Sequence, residues 1–241
     1  MKVATTASVA DYARIFETER QQSYPTVDAF EQAMDYAIDR LKIETAARIL
    51  ACPLKVNPPN WQHGRVLYAA ARKYFATLPV ETWIATLDVG TAKGFSALCV
   101  QWALNDSGRR GQVVSVDVLN PRGVESRNTV AELDGPVTLA QILEPWPEAD
   151  AIDFHHCTGV DYLRRHVGRI HFAFIDGKHS GEVVSQEAGW LAKRQEPGDV
   201  AIFDDAHMPD VRAAIEQARV NYELSYLVAK PGREYAIGRR R

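Results

Sequence analysis

The sequence has few cysteines, no excess of positive charge and no long apolar segment. Its 241 residues include only three cysteines, and no two of them form a C-x-x-C pair. We therefore expect reduced thiols in a cytoplasmic setting and no structural zinc site. The formal net charge of −3 provides no overall positive field for nucleic acid. No signal-peptide pattern is evident, and no apolar run approaches the roughly 18 residues that a membrane span needs, so no membrane association is expected.

The hydrophobic pattern changes near residue 80. Before this point apolar residues recur every three or four positions, as in amphipathic helices. We predict helices at Val9–Arg20, Val27–Ala51 and Trp61–Leu78, with N-caps at Thr26 and Asn60 and a proline-rich break at Cys52–Pro59. Residues 1–80 are thus predicted to form a helical extension, whose surface is a candidate for homo-oligomerisation.

Beyond residue 80, predicted strands and helices alternate, which is typical of a parallel sheet with crossover helices. The predicted strands are Ile84–Val89, Gln112–Asp117, Ala151–His155, Ile170–Ile175, Val200–Phe203, Leu224–Val228 and Glu234–Ile237. The last two flank a Pro-Gly turn and are expected to close the sheet as an antiparallel hairpin. The predicted fold class is therefore α/β, with a Rossmann-like, mostly parallel sheet in residues 81–241.

The stretch Thr86–Leu98 reads T-L-D-V-G-T-A-K-G-F-S-A-L. An apolar strand, a turn at Gly90 and a helix after Gly94 are typical of a nucleotide-binding βα unit. A dinucleotide site uses the spacing G-x-G-x-x-G, but the second and third glycine positions here hold Ala92 and Phe95. The spacing therefore disfavours an NAD-dependent dehydrogenase.

The pattern D-x-G-x-x-x-G resembles the first motif of class I S-adenosylmethionine (SAM) methyltransferases. This resemblance implies SAM as cofactor and S-adenosylhomocysteine as product. Asp117 ends the second predicted strand, where a carboxylate can accept hydrogen bonds from both ribose hydroxyls of a nucleoside. The predicted cofactor contacts are Asp88, Gly90, Thr91, Gly94, Ser96, Asp117, Thr158, Gly159 and Asp176, of which Thr158 and Gly159 would border the adenine in related folds.

Two further strand ends are acidic, in F-I-D-G-K-H-S-G-E and V-A-I-F-D-D-A-H. Asp176, Asp204 and Asp205 would converge at one rim, where three unpaired carboxylates repel. A magnesium ion, which prefers oxygen ligands, would resolve that repulsion. His179 lies three residues after Asp176 and is the candidate general base, with Asp176 beside it in the catalytic set. Helix capping by these aspartates is the competing structural interpretation.

The segment from Thr86 to Val211 is similar to the metal-dependent sugar O-methyltransferases of the macrocin type. Their Asp-x-x-His after the fourth strand and paired acids after the fifth imply metal ligands at Asp176, Asp204 and Asp205, and a base at His179. Catechol-type relatives usually have Asp-Asn after the fifth strand. The chain departs from the macrocin-type pattern at Gly181, where an aromatic residue is common, and at Gly198–Asp199, where Gly-Gly is usual.

The resemblance implies a SAM-dependent O-methyltransferase that acts on a small-molecule hydroxyl of sugar or natural-product type. We expect the acceptor pocket to be walled by residues 1–80 and by Leu119–Ala149, with Trp146 as an aromatic wall. His63, Arg65 and His207 are weaker candidates for ligand contact. A metal-independent methyltransferase and a SAM-binding accessory protein without catalysis are the alternatives.

Overall fold

The computed structural model of the protein describes residues 7–54 and 58–241. Part of the predicted Cys52–Pro59 break lies outside these residues. The helices are α1 (Val9–Arg20), α2 (Pro25–Met34), α3 (Arg40–Leu50), α4 (Gln62–Thr77), α5 (Phe95–Asp106), α6 (Leu139–Leu143), α7 (Gly159–Arg165), α8 (Gly181–Ala192) and α9 (Pro209–Gln217). The strands are β1 (Ile84–Val89), β2 (Gly111–Asp117), β3 (Ile152–His156), β4 (Phe172–Ile175), β5 (Val200–Phe203), β6 (Tyr222–Lys230) and β7 (Arg233–Arg240).

These strands form a seven-stranded sheet in the order β3-β2-β1-β4-β5-β7-β6. The strands β1 to β5 are parallel, and β7 pairs antiparallel with both β5 and β6. The chain moves outward from β1 to β2 and β3 and then returns to β4 on the other side of β1. In open α/β sheets this reversal opens a crevice beyond the strand ends, where ligands bind. The predicted fold class is confirmed.

Each face of the sheet is covered by its own layer of helices. Successive side chains of β4 alternate between the faces, so Phe172 and Phe174 join the core under α4 and α5, whereas Ala173 and Ile175 join the core under α8 and α9. The N-terminal helices share the first of these cores with the sheet. The boundary at residues 80 and 81 remains a prediction, because no gap in the core marks it.

A buried polar contact ties α4 to the sheet. The Tyr74 hydroxyl donates to the carboxylate of Asp199, which is fully buried. Arg169 donates two further hydrogen bonds to Asp199, of 3.0 and 2.8 Å. Asp199 is the residue that replaces a glycine of the macrocin-type pattern, and its carboxylate anchors the N-terminal helices.

The strand bounds agree with the predictions to within three residues, and the larger differences lie in the N-terminal region. The predicted helix Val27–Ala51 is wrong as a single helix, because Asp35 adopts a left-handed backbone (φ 63°) that ends α2. Thr26 is not an N-cap, since its hydroxyl instead donates to the Val228 carbonyl at 2.6 Å. Nor does Asn60 cap α4, since the helix follows Trp61 and the Asn60 side chain accepts from Tyr235.

Among residues 7–54 and 58–241, no helix combines the length and apolarity needed to cross a membrane.

Candidate active site

A cleft of about 540 Å³ opens at the carboxyl ends of β1, β4 and β5. The turn after β1 lines it together with the acids that follow β4 and β5. Residues from the end of α3 and the start of α4, including His63, form a further wall, and Arg233 of the β6–β7 hairpin closes it on another side. The cleft thus lies where the strand order reverses.

The turn after β1 packs directly against the end of β4. Gly90 has a φ of 99°, and a Cβ at this position would overlap the carbonyl oxygen of Asp176. Gly94 also has a left-handed backbone and precedes α5, whose N-terminal N–H groups receive no side-chain cap. The glycine pattern therefore permits a backbone approach that places the turn beside Asp176.

Hydrogen bonds from two directions fix the centre of this turn. The carboxylate of Asp117 accepts from the Ala92 N–H at 2.7 Å and from the Leu119 N–H at 2.8 Å. Arg127, which is 3% exposed, donates to the Ala92 carbonyl at 2.8 Å. Ala92 has a φ of 44°, which is uncommon for a residue with a Cβ. Asp117 and Arg127 together stabilise that conformation.

Asp88 is 1% exposed beneath the turn. The Ser115 hydroxyl lies 2.5 Å from its carboxylate and 2.6 Å from the Thr91 hydroxyl. Burial raises the pKa of Asp88 to about 6, and the hydrogen bond from Ser115 opposes this shift only in part. In this structure Asp88 supports the turn from below.

The acidic residues after β4 and β5 meet at one rim of the cleft, next to the glycine turn. Ligand atoms of Asp176, His179 and Asp205 all lie within 4.8 Å of one another. The Nδ1 atom of His179 is 2.6 Å from one oxygen of Asp205, and Arg233 donates to the other oxygen at 2.8 Å. Asp204 also lines the cleft, and its carboxylate accepts the Asp205 N–H at 2.7 Å.

The electrostatics of the rim differ from one carboxylate to the next. Burial, together with the nearby charges of Asp204 and Asp205, raises the pKa of Asp176 well above its usual range. Burial and Asp205 likewise raise the pKa of Asp204. Burial also acts on Asp205, but the hydrogen bond from His179 and the charges of His179 and Arg233 outweigh it and lower its pKa. Asp205 is therefore the acid with ion-pair partners, whereas Asp176 and Asp204 form no ion pair with any residue that the structure describes.

Helix capping does not account for these acids. The N-cap of α8 is Ser180, the N-cap of α9 is Met208, and neither helix start has a side-chain cap. The first N–H of α8, from Gly181, is instead bound by Asp210 at 2.6 Å, and a Cβ at Gly181 would lie 2.6 Å from that carboxylate. This contact explains why the chain has glycine where an aromatic residue is common.

The rim has the donor chemistry of a divalent-cation site. Two carboxylates that follow different strands and an imidazole converge, and Asp176 is buried beside two further acids, a setting that added positive charge would stabilise. These residues fit a magnesium-type ion. Asp204 is not within the converging group, although its carboxylate borders it.

The predicted cofactor contacts fall into two sets. Those that line the cleft are Gly90, Thr91, Ser96 and Asp176, and those outside the lining are Asp88, Gly94, Asp117, Thr158 and Gly159. Thr158 caps α7, since its hydroxyl accepts from the Asp161 N–H at 3.0 Å. Gly159 packs against Val89 and Glu187. All of these remain predictions as cofactor contacts.

Of the three weaker candidates for ligand contact, His63 and His207 line the cleft and Arg65 does not. His63 lines the cleft and stacks on Phe174, with ring centroids 5.9 Å apart; burial lowers its pKa to about 4, so it is neutral near pH 7. Arg65 instead forms ion pairs with Asp28 and Glu31. His207 lines the cleft 3.8 Å from Asp205.

Only some residues of the two segments predicted to wall the acceptor pocket line the cleft. Trp146 lies in a separate groove of about 520 Å³ beside β3. From the segment Leu119–Ala149, Asn128 lines the cleft. Sequence reasoning did not single out Lys93 or Arg233, which also line it. The position of Lys93 between Gly90 and Gly94 could have identified it as a candidate from the sequence. Arg233 could not have been identified in this way, because it reaches the site only through the β6–β7 hairpin.

Comparison with known proteins agrees with this geometry. Residues 87–206 match the family model described as a methyltransferase domain. The fold resembles cofactor-bound Rv0187 from MTB, at 19% identity, with 92% of this chain and 99% of that chain covered and a TM-score of 0.58. No curated protein matches the chain.

Two further solved structures are similar. One is the O-methyltransferase TomG from Streptomyces achromogenes in complex with SAM, which is 17% identical. The match covers 75% of this chain and 80% of TomG, with a TM-score of 0.53. The other is an O-methyltransferase from Bacillus cereus in complex with S-adenosylhomocysteine, at 15% identity, 91% and 93% coverage and a TM-score of 0.51. At such identities these likenesses establish the fold.

The strand order, the glycine turn at the point of reversal and the family match define a class I methyltransferase. The predictions of a methyltransferase class and of an enzyme are confirmed. SAM and S-adenosylhomocysteine are the ligands of two of the similar structures, TomG and the Bacillus cereus protein.

Proposed function

We propose that the protein is a divalent-metal-dependent O-methyltransferase that methylates a hydroxyl group of a small molecule of sugar or natural-product type. The observation that carries the proposal is the convergence of Asp176, His179 and Asp205 at the rim of the cleft. The O-methyltransferases among the similar folds support the reaction class, and TomG, involved in tomaymycin synthesis, supports the natural-product context.

Asp176 and Asp205 would hold the cation, with Asp204 as the adjacent carboxylate. A bound divalent cation lowers the pKa of a hydroxyl and orients it. Asp176 and Asp204 are the acids that burial and mutual repulsion hold at raised pKa values, so a cation there would restore their charge.

His179 would accept the proton of the acceptor hydroxyl. Its Nδ1 atom is bound to Asp205 at 2.6 Å, which leaves Nε2 as the nitrogen that takes a proton. The hydrogen bond to Asp205 raises the pKa of His179 and stabilises the protonated imidazole. Because the SAM sulfonium is itself a strong methyl donor, positioning and deprotonation are what the protein needs to supply.

A metal-stripped enzyme tests the proposal. We expect EDTA treatment to abolish methyl transfer to a panel of hydroxylated acceptors and Mg²⁺ to restore it. Asp205→Asn should reduce kcat by at least about 100-fold, because it weakens both the cation site and the orientation of His179. Calorimetry should show that S-adenosylhomocysteine still binds. Asp134→Asn, at an exposed acid away from the cleft, is the matched control.

A metal-independent methyltransferase is the second candidate. It is favoured by the 2.6 Å His179–Asp205 contact and by the Arg233 hydrogen bond, which together compensate Asp205 without a cation. In that case EDTA would leave activity unchanged while His179→Gln would still remove it. That result would reject the metal role and keep the base.

A further inference from the structure

Lys93 is a cation in the cleft wall without a matching anion. It lies in the turn between Gly90 and Gly94 and lines the cleft together with Ser96. Its Nζ atom has two long contacts, at 3.5 Å to the Cys52 carbonyl and 3.3 Å to the Asn128 carbonyl. Within residues 7–54 and 58–241, no carboxylate lies within 4.0 Å of this atom. Burial lowers the pKa of Lys93 to about 8, as expected for a cation without a partner.

The other basic groups of the cleft differ from Lys93. Arg233 and His179 both contact Asp205, and His207 lies 3.8 Å from it. His63 also lines the cleft but is neutral near pH 7, so in the described part of the chain Lys93 is the cleft-lining cation that does not contact the acidic rim. The cleft thus has a negative rim and a separate positive wall.

A ligand that carries both charges would complement this division. The methionyl part of SAM has an ammonium group and a carboxylate on the same carbon. Lys93 belongs to the turn that holds the predicted cofactor contacts Gly90 and Gly94, and the uncapped N–H groups at the start of α5 begin two residues after it. A carboxylate near Lys93 would also be favoured by that helix terminus.

We propose that Lys93 binds the methionyl carboxylate of SAM and thereby selects donors that retain it. The assignment rests on SAM as cofactor and does not depend on the proposed metal site. Ala92, which precedes Lys93, has a left-handed backbone, and both residues line the cleft.

A pair of ligands that differ only in the carboxylate isolates the contact. SAM and decarboxylated SAM share the adenosyl, sulfonium and amino groups. Their dissociation constants can be measured by calorimetry with no metal and no acceptor, so failure of the metal proposal would not affect the result. Lys93→Met keeps the length of the side chain and removes the charge, and Lys93→Arg restores it. Lys73→Met, at an exposed ion pair on α4, is the control.

For Lys93→Met we expect SAM affinity to fall about tenfold to hundredfold, because a hydrogen bond to a charged group is lost. Affinity for decarboxylated SAM should change less than about twofold. Lys93→Arg should recover most of the preference for SAM, and Lys73→Met should leave both constants unchanged. Thermal unfolding of each variant checks that it is folded.

Equal losses for the two ligands in folded Lys93→Met would overturn the assignment, because they would show a general effect on the turn. Unchanged SAM affinity would overturn it as well, and would direct the search for the Lys93 partner to the methyl acceptor.

Discussion

The buried carboxylates on the two sides of the cleft differ in how far hydrogen bonds within the protein stabilise their charge. On the side of the glycine turn, Asp117 accepts two backbone N–H groups and Asp88 is bound by Ser115. On the acidic rim, Asp176 and Asp204 are buried beside each other and beside Asp205, and both have raised pKa values. Asp117 is thus satisfied by the protein alone and Asp88 in part, whereas the rim is completed by a cation or a proton. This difference separates residues that build the site from residues that act in it.

The largest effect is expected where the two sides touch. In Gly90→Ala, the new methyl group would overlap the Asp176 carbonyl oxygen, and the residue would still need a φ of 99°. We expect a loss of at least about 3 kcal/mol in the free energy of unfolding, from backbone strain and overlap combined. Binding of S-adenosylhomocysteine should be lost together with it.

Gly108→Ala is the matched control for this experiment. Gly108 also has a positive φ, of 65°, but a Cβ there would meet nothing within 4 Å. It should cost about 1 kcal/mol from strain alone and leave ligand binding intact. Chemical denaturation measures the loss in the free energy of unfolding for each variant. Equal losses would show that the close approach of the turn to Asp176 does not affect stability.

A second prediction compares one acid from each side. Asp204→Asn removes a charge from the metal-free rim, and its amide can donate to neighbouring carboxylates while its oxygen still accepts the Asp205 N–H. We expect it to stabilise the protein by about 1 to 3 kcal/mol at pH 7, since the raised pKa of Asp204 marks an unfavourable charge. Asp117→Asn should instead destabilise it by about 1 to 2 kcal/mol, because an NH₂ group would face a backbone N–H.

The pH dependence follows from the direction of the Asp204 shift. An acid whose pKa is raised in the folded state binds its proton more tightly there than in the unfolded chain. Stability in EDTA should therefore fall as the pH rises from about 4 to 7, and Asp204→Asn should flatten that decline. Urea denaturation at several pH values measures it. If Asp204→Asn destabilised the protein at pH 7, the rim would not be strained by its own charge.

The parts of the site that could be predicted from the sequence are the local ones. The strand at Ile84–Val89 and the glycine turn depend on neighbouring residues, and both were predicted with the observed bounds. The acids after β4 and β5 were placed at one rim because parallel strands end at the same edge. The break at Asp35 was missed, since aspartate at a C-cap leaves little trace in an apolar pattern.

Other features of the site depend on contacts between distant segments. The partners of Asp117 include Ala92, whose own carbonyl is held by Arg127, and no spacing rule connects these three positions. Trp146 was expected at the acceptor pocket but lies in a different groove, because the long segment after β2 has no periodic pattern to orient it. Arg233 reaches the rim only once the hairpin has paired with β5.

The smallest effect is expected at a buried acid that lies away from the rim. Glu187 on α8 is 2% exposed, and burial alone raises its pKa to about 7. It packs against Gly159, and one carboxyl oxygen has no hydrogen-bond partner within the described residues. The folded protein holds the Glu187 proton more tightly than the unfolded chain, so stability should decline between about pH 4.5 and 7.

Glu187→Gln should remove this decline. The net gain at pH 8 should be only about 1 kcal/mol, because the buried amide would lack hydrogen-bond partners of its own. SAM affinity should stay unchanged, and a loss of affinity in the folded variant would instead connect Glu187 to the predicted cofactor contact at Gly159.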